Sequence, residues 1–119
     1  MQLAISLLED KGMDSPVSST FGSSPYFMFV DADNGFFKIR PNLVKTGAGD
    51  TDTDAKTAQM IARNNVDAVI SDKFGQKAYE VLNKAGIWIY IFFDSLVEEA
   101  LKAFRRGQLA AYEPAGTGI

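Results

Sequence analysis

Residues 66–93 read VDAVISDKFGQKAYEVLNKAGIWIYIFF, and the order of patterns in that run decides the fold class. Val66 to Ser71 is a short apolar run rich in β-branched residues, as in a buried strand. The period then changes. Ala78, Val81, Leu82 and Ala85 recur at helical spacing on one face, and Gly86 supplies the C-terminal stop. Ile87 to Phe93 is almost continuously apolar, the pattern of a central strand covered on both faces, with Trp88 in the core or an interface. Strand, helix and strand in such close succession require a parallel crossover, which is right-handed for steric reasons.

Working outward, Ser95-Leu96-Val97-Glu98 has the form of a capping box. It opens a helix with the stripe Val97, Ala100, Leu101, Phe104, and Gly107 closes it. The tail from 110 to 119 is rich in Gly and Ala and is expected to be flexible. On the other side, Ala55, Ala58, Ile61 and Ala62 mark an earlier helix that stops at Asn64-Asn65. Gln2 to Leu8 reads as a buried strand. Tyr26 to Asp31 and Phe36 to Asn42 form a hairpin about the turn Asp33-Asn34-Gly35, with Pro41 closing the return strand. The sum is one domain over residues 1–119, an α/β protein with a mixed five-stranded sheet in a three-layer α/β/α arrangement.

Composition narrows the function. The chain has 119 residues, 46% hydrophobic and 23% charged, with a formal net charge of −3. Such mild acidity with interspersed charges argues against a nucleic-acid partner. Lys102, Arg105 and Arg106 suit the end of a helix, where cations complement the dipole. There is no cysteine and no histidine, so disulfides, Ser-His-Asp and Cys-His nucleophiles, and the usual zinc and iron–sulfur ligands are all excluded. The first residues turn acidic too soon for a signal peptide, and no run reaches the roughly 18 apolar residues of a spanning helix. No membrane association and a cytoplasmic location are expected.

Several stretches invite a functional reading. The irregular connection Glu9–Pro25 is long for a loop without function. It runs into SSTFGSSPYF, residues 18–27, which is rich in serine around Phe21-Gly22. Thr46-Gly47-Ala48-Gly49-Asp50 resembles a phosphate loop but lacks the Walker lysine-serine pair and the third glycine of the dinucleotide fingerprint. Its backbone amides at Gly47 and Gly49 remain a candidate site for a small anion at a helix N-terminus. Asp50, Asp52 and Asp54 fail the EF-hand pattern, because Ala55 and Ile61 stand where glycine and a bidentate glutamate are needed. They serve either as first-turn acids, with Asp52 or Thr53 as cap, or as a weak hard-cation site. Asp14, Asp31 and Asp33 are the acids a metal-dependent hydrolase would pair. Asp31 and Asp33 also border a turn that itself favours aspartate.

In order and spacing, Ser15-Pro16-Val17-Ser18 leading to Phe21-Gly22, then Gly75 with Ala78 and Leu82, then Ala85-Gly86-Ile87, then Glu98-Glu99-Ala100 through Gly107-Gln108-Leu109, resemble the dinitrogenase iron–molybdenum cofactor-binding family. The resemblance spans Leu3 to Leu109. It implies a ribonuclease H-like fold and a non-catalytic carrier or nitrogenase accessory protein. It also implies an iron–molybdenum–sulfur type cluster as ligand. The implied pocket is lined by the Phe-Gly loop (Ser18, Thr20, Phe21, Gly22) and by the loop before the first helix (Gly47, Gly49, Asp50, Asp52), with Gly75 nearby. The family often carries His before Phe-Gly and His or Cys in the second loop. This chain has Thr20 and the Asp50–Asp54 run there, so a soft cluster would find neither imidazole nor thiolate. A binding module for a small anion or a protein partner is the alternative.

Overall fold

A computed structural model describes residues 1–44, 53–92 and 95–111. Six strands form one sheet: β1 (Gln2–Leu7), β2 (Tyr26–Asp31), β3 (Phe37–Pro41), β4 (Ala68–Ser71), β5 (Trp88–Ile91) and β6 (Ala110–Ala111). Their spatial order is β3-β2-β1-β4-β5-β6. β1, β4 and β5 run parallel, and the β2–β3 hairpin lies antiparallel beside β1. The mixed α/β sheet expected from the sequence is therefore present. It gains one more strand, because Ala110 and Ala111 pair with Ile91 and Tyr90 at the far edge.

Alternation along β1 sets the layers. Leu3, Ile5 and Leu7 point to one side, where they pack with Val97, Ala100 and Leu101 of α3 (Val97–Arg105). Ala4 points to the other, sharing a core with Ala58 and Ile61 of α1 (Thr53–Ala62) and Ala78 and Leu82 of α2 (Gln76–Lys84). Helices thus cover both faces. α2 ends in a Schellman arrangement. Gly86 takes a φ of 75°, its amide donates to the Asn83 carbonyl, and the Ile87 amide donates to the Leu82 carbonyl. Asn65, at a φ of 55°, follows the end of α1.

β5 is less enclosed than its apolar sequence implies. Ile89 is buried, but Trp88 is 60% exposed. The strand is next to the sheet edge, and β6 pairs only with its last two residues. Trp88 is accordingly not a core residue.

Candidate functional site

After β1 the chain makes one 3-10 turn at Gly12–Asp14 and returns as a strap across the carboxyl ends of the parallel strands. Ser15 is fully buried; its Oγ accepts from the Lys11 amide at 2.8 Å and donates to the Gly12 carbonyl at 2.7 Å. Val17 bridges to Leu7 and Pro16 to Leu96. The Val17 amide donates to the Ser95 carbonyl, and the Val97 amide donates back to the Ser15 carbonyl. This exchange replaces the expected capping box. Leu96 is the N-cap of α3, and no side chain caps the helix. The first turn has instead found a backbone carbonyl of the strap.

The serines that make the following loop unusual fasten it. The Ser18 amide donates to the Ser6 carbonyl, and the Ser18 Oγ donates to the Thr20 carbonyl at 3.0 Å. Beneath them Ser6 Oγ donates to Ser71 Oγ at 2.6 Å, joining β1 to β4 through two fully buried hydroxyls. Ser24 Oγ lies 3.0 Å from the Leu7 carbonyl and 2.9 Å from that of Tyr26. The Ser18 and Ser24 hydroxyls thus tie the loop to its own backbone and to the ends of β1 and β2.

Phe21 plugs the loop into the core. It is fully buried, stacks on Phe74 with ring centroids 5.0 Å apart, and meets Phe27 edge-on at 5.5 Å. Its amide donates to the Lys73 carbonyl. The Gly22 carbonyl accepts from Thr57 Oγ1 at 2.9 Å and Asn42 Nδ2 at 3.2 Å. Asp54, in the first turn of α1, lays its carboxylate between Gly22 and Gly75, and a Cβ on either glycine would fall on that carboxylate. Gly75 is the N-cap of α2, whose first turn contains no acidic residue. The carboxylate therefore stands at the positive end of the α2 dipole.

Above this frame a cavity of about 500 Å³ opens at the carboxyl ends of β1 and β4, lined by Leu8, Pro16, Val17, Ser19, Asp72, Ser95 and Leu96. In open α/β sheets this is the usual place for a ligand. Among the described residues Asp72 is the only ionisable side chain in the lining, with hydroxyls from Ser19 and Ser95.

Of the residues singled out by sequence, Ser18, Phe21, Gly22 and Gly75 serve the loop and the Asp54 junction, while Thr20 is exposed and shares a 2.8 Å contact with Ser23 Oγ. Gly47, Gly49, Asp50 and Asp52 lie outside the described residues. Asp14, Asp31 and Asp33 do not converge. Asp14 follows the carboxyl end of β1, whereas Asp31 pairs with Gln2 at its start and Asp33 lies in the next turn. Asp31 is occupied locally. It accepts from the Asp33 amide at 2.8 Å and Gln2 Nε2 at 3.0 Å. The Asp33 amide is the main reason its pKa lies below the ordinary carboxylate value. Among the described residues no three acids group as a metal site, and no helix is long and apolar enough to cross a membrane. Sequence reasoning missed the Ser6–Ser71 pair and the place of Asp54, because both depend on which loops meet over the sheet.

The chain is thus a three-layer α/β/α protein with a strap and a cleft over the ends of its parallel strands. Residues 1–107 match the dinitrogenase iron-molybdenum cofactor family, and the chain belongs to it. An uncharacterized protein of Methanocaldococcus jannaschii is 33% identical over 100 residues, spanning 82% of this chain and 83% of that one. Among solved structures, the apo form of the orange protein from Desulfovibrio gigas superposes with a TM-score of 0.83 at 24% identity, over 93% of this chain and 92% of that one. A NifB candidate from Thermotoga gives 0.76 at 27% identity, over 97% and 98%.

Proposed function

We propose that this chain is a non-catalytic accessory protein of the nitrogenase-cofactor type that receives a metal-containing ligand in the cleft over β1 and β4. The observation that carries the reading is the cleft itself, at the carboxyl ends of the parallel strands and framed by a loop that buried serines and Phe21 hold fixed. Family membership supports the ligand class. The donor set does not fit a soft cluster held by side chains, since the chain has neither Cys nor His. Among the described residues the available side-chain contacts are the hydroxyls of Ser19 and Ser95 and the Asp72 carboxylate. A carboxylate suits a ligand that brings metal ions better than it suits a bare oxyanion.

The test is metal analysis of the protein purified from its native host, paired with Asp72→Asn. Stoichiometric molybdenum or iron in the wild type, reduced in the variant, is the expected result. Thr20→His, which returns an imidazole beside Phe21, should increase metal retention. Metal-free wild-type protein, together with no amide shifts near Ser19, Asp72 and Leu96 on adding ferrous iron, would overturn the proposal.

A further inference from the structure

A second cleft, sharing no lining residue with the first, lies between α1 and the hairpin. The β2–β3 register sets Phe27 opposite Arg40 and Phe29 opposite Lys38, so these four side chains share the sheet face on which α1 packs. Across from them α1 offers Lys56, Gln59 and Met60, and Arg63, just past its end, continues the i, i+3, i+4, i+7 stripe with its amide on the Gln59 carbonyl. Leu43 and Val44, leaving β3, form an apolar side. The enclosed volume is about 490 Å³, within the range of small-molecule sites.

The charge is one-sided. Arg40, Lys56 and Arg63 line the cleft and, among the described residues, no acid does, although acids outnumber bases in the chain by 15 to 12. The guanidiniums of Arg40 and Arg63 have no ion-pair partner among the described residues. Phe29, half-buried, gives an aromatic surface, and Met60 adds a polarizable one.

We infer that this cleft binds a flat organic anion, its ring system on Phe29 and Met60 and its carboxylate, phosphate or sulfonate head at Arg40 and Arg63. Guanidinium forks match such oxyanions in geometry as well as charge, and ring stacking fixes the body. A purely inorganic anion would leave the apolar part of the lining unused, and a neutral ring would leave both guanidiniums uncompensated.

The probe is 8-anilinonaphthalene-1-sulfonate, titrated by fluorescence into the native protein, with bound position mapped by amide and methyl chemical shifts. One saturable site is expected, with shifts at Phe29, Met60 and Arg63, weakened roughly tenfold or more in Arg40→Gln/Arg63→Gln. Both arginines are exposed, so the double variant should keep the wild-type unfolding midpoint, which separates lost binding from lost fold. Binding unchanged in the double variant, shifts centred on Leu8 and Leu96, or no saturable binding at all would each overturn the inference.

Discussion

Gly22→Ala and Gly75→Ala probe the junction at Asp54, and shortening Asp54 should separate their effects. A Cβ on Gly22 would stand 2.8 Å from Asp54 Cγ and 3.1 Å from its Cα; one on Gly75 would stand 2.9 Å from Cγ and 3.5 Å from Cβ. Each single substitution therefore overpacks the junction, at a cost of about 1–3 kcal/mol. Asp54→Ala removes the carboxylate and costs roughly 0.3–1 kcal/mol for the lost first-turn acid, an amount that cancels in a double-mutant cycle. In that background the new Cβ at position 75 meets ordinary contact at 3.5 Å, whereas the one at 22 still presses on backbone at 3.1 Å. Gly75→Ala should then retain only the penalty of alanine at an N-cap, while Gly22→Ala keeps part of its steric cost. The coupling should be about 1–2 kcal/mol for the 54/75 pair and smaller for 54/22. Urea unfolding by circular dichroism measures it, provided the m-value is constant across the set. Zero coupling at 54/75, or a larger coupling at 54/22, would show that the carboxylate does not fill this cradle.

Phe21→Ala should destabilise the fold by about 3–5 kcal/mol, read from the same unfolding curves, because a fully buried ring leaves a cavity against Phe27 and Phe74. Ser95→Ala should change stability by less than about 0.5 kcal/mol, since no side chain caps α3, whereas Ser15→Ala should cost about 1–2 kcal/mol for its two buried hydrogen bonds. Ser6→Ala should cost about 1–3 kcal/mol by stranding the Ser71 hydroxyl, and Ser71→Ala should cost less, because Ser6 Oγ keeps the Ser18 carbonyl at 3.4 Å. Asp31 should titrate below the ordinary aspartate range in a carboxyl NMR experiment. Its folded pKa is depressed, so its contribution to stability is present above the unfolded value and is lost as pH falls through the folded one.

The strands and helices were legible because their signals are local. The period change at Ala78, the Asn34-Gly35 turn and the Gly86 stop each act within a few residues, and parallel β1, β4 and β5 follow from the connections between them. β6 was not legible: two alanines have no strand preference of their own, and they pair because α3 returns the chain to the free edge of β5. The start of α3 misled for a related reason. Ser95 and Glu98 have the spacing of a capping box, but the strap from Ser15 to Val17 lies close enough to take the helix's free amide. The acids Asp14, Asp31 and Asp33 looked like a group in sequence, but the amide of Asp33 and the side chain of Gln2 engage Asp31 at the hairpin turn, and no three acids meet among the described residues. The Phe-Gly loop could be singled out as unusual, yet the acid that meets both glycines could not, since nothing in residues 18–27 names a partner at 54.

The frame and the cleft should respond differently to substitution, and that difference is itself informative. Phe21, Gly22, Ser6 and Ser71 lie beneath or beside the loop and hold it by packing and buried hydrogen bonds; none of them lines the cleft. Ser19 and Asp72 line the cleft, and neither is part of the buried core. A loop fixed by its three buried serines, Ser15, Ser18 and Ser24, loses little further freedom when a ligand arrives, so binding there avoids most of the usual ordering cost. Substitutions in the frame should therefore lower stability and weaken binding together, through displacement of the loop. Substitutions of Ser19 or Asp72 should weaken binding while the unfolding midpoint stays where it was. Were Asp72→Asn to lower stability as much as Phe21→Ala does, Asp72 would belong to the frame, and the ligand face would have to be sought elsewhere along the strap.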